Sequence, residues 1–191
     1  MIYKEPAWKN NIVLTSIPIF SDKECSLIID YNKNKKLETA KVGQSQKKRT
    51  KKTTRSSSVN FIPFKDFIPM YQRIEEVLHD ININNFGYEN MQITEMAQYT
   101  QYKKGGFYDW HIDTEINGMH TMPVRKISMS VLLNDEKEYT GGDFEFFHAN
   151  SYKIKKGHGI FFSSFLSHRV AKVTKGVRKS LVMWFGGTPL R

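Results

Sequence analysis

A mainly β fold braced by two helices is what the sequence predicts, and three observations carry that expectation. From Met91 onward the chain is rich in β-branched and aromatic residues and punctuated by Gly105-Gly106, Gly141-Gly142, Gly157 and Gly159, the pattern of closely spaced strands joined by turns. Helical spacing of apolar residues is confined to the first half of the chain. No internal repeat divides the second half, so its strands must cover one another. The expected architecture is a double-stranded β-helix, or jelly roll, forming one domain over residues 1–191, with 1–90 as a supporting part and 91–191 as the core.

Each element has a local cause. Asn11 to Phe20 alternates apolar residues and predicts a strand, and Ser21 and Asp22 supply a helix cap before Cys25-Ser26-Leu27-Ile28-Ile29-Asp30-Tyr31. Val59 to Ile62 predicts a short strand. Ile68, Tyr71, Ile74 and Leu78 recur at helical spacing, so a second helix is expected from Lys65 to about Asp80.

Composition narrows the class. At 191 residues the chain can bury one substantial core but not two independent enzyme domains. No apolar run approaches the ~20 residues needed to span a bilayer, and the opening MIYKEPAWKNN lacks a secretory hydrophobic stretch. An intracellular, non-membrane protein is expected. The lone Cys25 fits a reducing compartment and a buried place in the first helix.

The formal net charge of +10 is concentrated. Lys41, Lys47, Lys48, Arg49, Lys51, Lys52 and Arg55 lie in a stretch without acidic residues, and segment 41–58 is too poor in apolar side chains to offset its ordering entropy. A flexible basic loop is expected there, as a connector, a cover over substrate or a contact for an acidic partner. Phosphate neutralisation would let it meet nucleic acid, although no reader module accompanies it.

His111-Ile112-Asp113, followed by His168 and then Arg178, carries the chemistry. If the first pair lies on a strand, its members share a face about 7 Å apart and can converge on one ion. Two imidazoles and one carboxylate on one side of an octahedron leave three positions open, the arrangement of non-haem Fe(II) oxygenases rather than of closed structural zinc. Arg178 adds a permanent cation able to clamp a carboxylate.

Residues around the pair extend the pattern. Tyr102, Gly105, Tyr108, His111 and Asp113 resemble the Tyr-x-x-Gly-x-x-Tyr-x-x-His-x-Asp run of the prolyl 4-hydroxylase-like Fe(II)/2-oxoglutarate dioxygenases. In the same register, Arg125 to Asn134 resembles that family's Arg-led central strand, Gly141-Gly142-Asp143 its Gly-Gly-acid turn, and Val173, Gly176 and Arg178 its residues after the second histidine. Phe20 to Cys25 and Arg55-Ser56 resemble its helix entry and Arg-x-Ser region. Two departures stand out: Lys172 replaces a frequent proline, and Leu132 a frequent tyrosine.

The resemblance implies a jelly-roll dioxygenase using Fe(II), 2-oxoglutarate and O2, and it allows ascorbate as an accessory. It implies that His111, Asp113 and His168 hold the metal, that Arg178 and Tyr102 bind the far carboxylate of 2-oxoglutarate, and that Tyr108, Arg125 and Trp184 approach substrate. The implied reaction turns 2-oxoglutarate into succinate and carbon dioxide while hydroxylating a C–H bond, first of all a prolyl residue in a protein or peptide.

Alternatives remain at this point. His120, His148 and His158 are ligands by residue type but lack the spacing to an arginine shown by His168. Arg169 and Lys179 are expected in solvent, with Lys179 facing away from Arg178. An amino-acid hydroxylase, a nucleic-acid oxidative demethylase and a non-enzymatic metal-binding jelly roll compete with the leading reading, though the last gives Arg178 nothing to hold. The oligomeric state is left open.

Overall fold

The computed structural model of the chain describes residues 10–40, 54–114, 123–147, 149 and 151–187. In chain order these form β1 (Ile12–Leu14), α1 (Asp22–Lys33), β2 (Glu38–Thr39), β3 (Arg55–Ser56), β4 (Ser58–Ile62), α2 (Ile68–Ile81), β5 (Gln92–Ile93), β6 (Ala97–Lys103), β7 (Phe107–His111), β8 (Val124–Leu132), β9 (Tyr139–Gly141), β10 (Phe144–Phe146), β11 (Ser151–Tyr152), β12 (Gly159–Ser163), β13 (His168–Val170) and β14 (Val173–Gly187). A larger sheet runs in the order β1-β12-β8-β14-β6-β4-β2, with β5 and β9 also paired to β14. A smaller sheet runs β11-β10-β13-β7-β3. The two sheets face each other as a jelly roll.

Side-chain alternation divides the larger sheet into two working faces. Ile127, Met129 and Val131 of β8, and Leu181, Met183 and Phe185 of β14, join Cys25 and Ile28 of α1 and Ile74 and Leu78 of α2 in one buried cluster. The intervening residues point between the sheets, where Leu132 meets Phe144 and Phe146 of the smaller sheet. The helices thus back the larger sheet and leave its other face for the site.

Both helices obey local chemistry. Ser21 caps α1 in a reciprocal box: its hydroxyl accepts from the Glu24 N–H at 3.3 Å, and Glu24 Oε2 accepts from the Ser21 N–H at 2.8 Å. In α2 the buried residues Met70, Tyr71, Ile74 and Leu78 form one stripe. The second helix begins later than expected from the sequence, because Phe64–Asp66 makes a 3-10 turn before it.

The first expected strand is much shorter than Asn11 to Phe20. It stops at Leu14, after pairing with Ile160, Phe161 and Phe162. Pro18 offers no donor, and the N–H groups of Ile19 and Phe20 both turn to one carbonyl, that of Gly157, at 2.8 and 3.2 Å. Gly159, expected in a turn, instead opens β12; its missing side chain makes room for Ile19 Cδ1, which a Cβ would meet at 2.6 Å. The basic stretch 41–53 lies outside the described residues. Among the described residues no helix is long and apolar enough to cross a membrane.

Tyr71 fastens α2 to the strand that leads toward the site. Its hydroxyl donates to the Ile62 carbonyl at 2.5 Å and accepts from the Ala97 N–H at 2.8 Å, so it joins β4 and β6. Tyr71→Phe would strand a buried N–H and a carbonyl, and should lower unfolding stability by about 1–3 kcal/mol in urea titrations. An unchanged midpoint would show that the two strands hold their register without it.

Candidate metal centre

β7 and β13 lie side by side in the smaller sheet, with His111 directly across from His168. Asp113 is not on a strand shared with His111: β7 ends at His111, and the chain turns so that the Asp113 and Thr114 N–H groups bond to the Ser164 carbonyl at 2.9 and 3.1 Å. The expectation of two ligands alternating along one strand is therefore corrected. The turn brings the carboxylate in more closely than strand spacing would. Asp113 Oδ1 stands 3.6 Å from His111 Nε2, and Oδ2 stands 3.5 Å from His168 Nε2.

The imidazoles are oriented by the backbone. Nδ1 of His111 lies 2.7 Å from the Asp109 carbonyl, and Nδ1 of His168 lies 2.9 Å from that of Leu166. A carbonyl can only accept, so each Nδ1 carries a proton, and Nε2 is the atom each ring turns toward Asp113. Burial, followed by the neighbouring His168, pushes the His111 pKa down to about 4. Burial alone would raise that of Asp113, but the two histidines and the Ser128 hydrogen bond outweigh it and hold the carboxyl below its ordinary range. For His111 the neutral imidazole, and for Asp113 the ionised carboxylate, are the protonation states a divalent ion requires.

Among the described residues, His111, Asp113 and His168 are the group of metal-ligand side chains whose donor atoms come together, all within 4.8 Å of one another. Three donors converging from one side, with tautomers fixed outward, fit a metal that keeps open positions. Of the rival histidines, His158 bonds the Thr15 carbonyl at 3.0 Å on the β1 side. His120 and His148 lie outside the described residues.

Ser128, which the sequence did not single out, completes the setting. Its hydroxyl donates to Asp113 Oδ2 at 2.7 Å and lies 2.9 Å from the hydroxyl of Ser164. A signal was present: Ser128 and Ser130 alternate with Ile127, Met129 and Val131 on a fully buried strand, which puts hydroxyls on one face.

A cleft leads from this cluster between the sheets. Its walls include Tyr102, Tyr108, Phe162, Ser180, Trp184 and Arg178. Arg178 is 2% exposed and pairs in register with Tyr102 of β6, whose ring centre is 5.8 Å from its guanidinium carbon. Its Nη1 donates to Ser180 Oγ at 3.1 Å, and among the described residues no carboxylate pairs with it. Lys179 takes the opposite parity on β14, that of Leu181.

Arginines also stack on aromatic rings around the mouth. Arg55, buried, sits 4.4 Å above Tyr108, and Tyr108 in turn stacks on His111 at 3.5 Å and 15°. Burial pushes the Tyr108 hydroxyl up to about 12 against the pull of Arg55, so it stays protonated. Arg125 lies 4.1 Å over Trp184, is paired through both nitrogens with Glu95, and reaches the Asp113 carbonyl at 3.4 Å. Arg169, expected in solvent, instead pairs with Glu145 at 2.6 Å and covers Trp110. The Trp184 indole N–H is buried beside Asp113 and helps hold that carboxyl below its ordinary range.

Two histidines and a carboxylate at the mouth of a jelly-roll cleft are the donor set that mononuclear non-haem iron proteins use. Residues 97–186 match the model of the 2OG-Fe(II) oxygenase superfamily. The match takes in 90 of the 191 residues, a little under half of the chain, and that stretch is similar to this superfamily. A PKHD-type hydroxylase from Parvibaculum lavamentivorans is 31% identical over 93 residues, covering 46% of this chain and 41% of that protein. One from Aliarcobacter butzleri is 35% identical over 94 residues, covering 45% and 41%. The matched stretch thus spans about two fifths of the length of these curated relatives.

The fold is shared over most of the chain. A Pseudomonas putida prolyl-4-hydroxylase superposes with a TM-score of 0.71 at 18% identity, covering 93% of each chain. The viral collagen prolyl hydroxylase of Paramecium Bursaria Chlorella virus-1, solved with 2OG, gives 0.69 at 21%, covering 94% of this chain and 97% of that one. A Trichoplax adhaerens prolyl hydroxylase, solved with a hypoxia inducible factor oxygen degradation domain peptide fragment, gives 0.68 at 16%, covering 93% and 84%.

Ser128→Ala should leave the three ligands in place but free the carboxylate to rotate, weakening Fe(II) or Mn(II) affinity about tenfold, at the lower end of the effect of losing an outer hydrogen bond. Equilibrium dialysis under anaerobic conditions measures it. Equal affinity in the two proteins would show that the turn at Ser164 alone orients Asp113.

Proposed function

We propose that this chain is an Fe(II)- and 2-oxoglutarate-dependent dioxygenase that hydroxylates a C–H bond, of the prolyl 4-hydroxylase type, on a protein or peptide. In this reading residues 1–90 support, and 91–191 form the core of, one catalytic domain. The observation that carries it is the pairing of an open three-donor cluster with a buried, acid-free arginine in the same cleft. A purely structural metal site has no use for the second group.

Each residue has a task. His111 and His168 would hold the iron through Nε2 and Asp113 through its carboxylate, leaving one side of the ion open. Iron, with 2-oxoglutarate and O2, supplies the oxidising chemistry when bound. Arg178 would bind the far carboxylate of 2-oxoglutarate, since a buried guanidinium without an acid offers a charge-assisted, two-pronged partner in a low-dielectric setting. Tyr102, its neighbour in register, lines the same path. Phe144, Phe162 and Val170 exclude water from the walls. Tyr108 braces the face of His111, and Trp184 and Arg125 form a rim held by Glu95, where substrate would approach.

A peptide substrate is supported by the likeness in fold to hydroxylases of collagen and of a peptide fragment. Free amino acids and methylated nucleic acids are the competing substrate classes, and one panel of all three separates them by mass spectrometry.

Arg178→Ala should weaken 2-oxoglutarate binding by about 2–5 kcal/mol, the cost of removing one partner of a buried charge pair. Metal affinity should change little. Succinate formation at fixed 2-oxoglutarate checks the first statement and metal titration the second; undiminished succinate formation would remove Arg178 from the role.

A further inference from the structure

We infer that Tyr139 is a positioning residue for Arg178: its hydroxyl holds the guanidinium toward the metal cleft, and so tunes recognition of the co-substrate's far carboxylate. The inference deepens the proposed function and rests on it.

A guanidinium carries five N–H donors, and one this deeply buried needs them met. Among the described residues Arg178 has Ser180 Oγ at 3.1 Å, the Tyr102 ring at 5.8 Å and no acid. On the adjoining strand β8, Leu132 stands opposite Ser180 and has no polar atom to offer. Tyr139 fills that need. It packs half-buried against the cluster containing Tyr102, Leu132 and Val173, and it walls one cavity together with Arg178 beside the turn at Gly142, close enough for the guanidinium to bear on its hydroxyl. Burial raises the pKa of that hydroxyl, outweighing the guanidinium, so it stays protonated at neutral pH. A phenol oxygen can accept from the arginine.

The backbone around the pair is fixed from both sides. Asn134, at the end of β8, donates to the Val177 carbonyl at 2.9 Å and accepts from the Lys179 N–H at 2.7 Å, bracketing Arg178. The next residue, Asp135, caps the short turn Glu136–Glu138, which delivers Tyr139 to β9 opposite Gly176 of β14. The turn after β9 then brings Gly142, at φ +70°, against the pair: a Cβ there would lie 3.1 Å from Arg178 Cδ and 3.5 Å from Tyr139 Cε2. At that positive φ, and with Val173 Cγ2 only 2.9 Å from the same point, glycine lets the loop close on Arg178, while Tyr139 stays at ordinary van der Waals distance.

The test is Tyr139→Phe, which keeps the ring and removes only the hydroxyl. Calorimetry on the Mn(II)-loaded protein under anaerobic conditions compares 2-oxoglutarate with pyruvate, a 2-oxo acid lacking the far carboxylate. The inference expects about a tenfold weaker Kd for 2-oxoglutarate, the scale of one hydrogen bond to a charged group, with pyruvate and Mn(II) binding unchanged. In turnover, KM for 2-oxoglutarate should rise while kcat at saturation holds. Equal 2-oxoglutarate affinity in wild type and variant, or a parallel loss for both acids, would overturn it. Failure of the wild type to bind 2-oxoglutarate would instead overturn the proposed function.

Discussion

The position of one buried carboxylate governs the rest of the site. Asp113 sits just past the end of β7, where hydrogen bonds to Ser164 turn the chain and Ser128 holds one oxygen. An ionised carboxylate so placed is costly without compensation. Two histidines face it from adjacent strands, each with Nδ1 committed to a backbone carbonyl and Nε2 turned toward the carboxylate, and together with Ser128 they hold it ionised. Donors gathered in this way also favour binding of a divalent cation. The Ser128 hydroxyl sits on the inner face of β8, whose other face is packed by helices, and Ser164 lies in the turn just past β12. The fold thus makes a polar floor without weakening its core.

The second buried charge follows the same logic in reverse. Arg178 lies in the interior with neutral partners and no acid among the described residues, whereas Arg125 and Arg169 each have a glutamate. Two arginines near the mouth are neutralised locally and stiffen aromatic walls. The deep one is left to attract an anion. Arg55 too is buried without an acid among the described residues, but it lies over Tyr108 and donates to Ser57, so Arg178 is set apart by its place deep in the cleft as well as by its missing acid.

Much of this was legible in the sequence. Richness in β-branched and aromatic residues with spaced glycines pointed to the jelly roll, Ser21 and Asp22 marked the cap of α1, and the spacing of His111, Asp113, His168 and Arg178 identified the residues that the fold gathers. What escaped depended on long-range pairing. Pro18 and the double use of the Gly157 carbonyl shorten the first strand, an outcome set by a neighbour about 140 residues away. Asp113 leaves its strand because of Ser164, which local alternation cannot register. Arg55 stacks on Tyr108 only because β3 pairs with β7, and Arg125 finds Glu95 thirty residues back. Tyr139 carried no signal at all, since its role arises where β9 meets β14.

On the proposed function, His111, Asp113 and His168 hold one ion while the cleft toward Arg178 stays open. Anomalous diffraction from crystals grown anaerobically with Mn(II) in place of iron tests it most directly. One peak is predicted, bonded to the two Nε2 atoms and the Asp113 carboxylate, with its remaining positions facing the cleft. A peak held by His158 or by another set of side chains, or an ion at this cluster closed off by a fourth protein ligand, would contradict it.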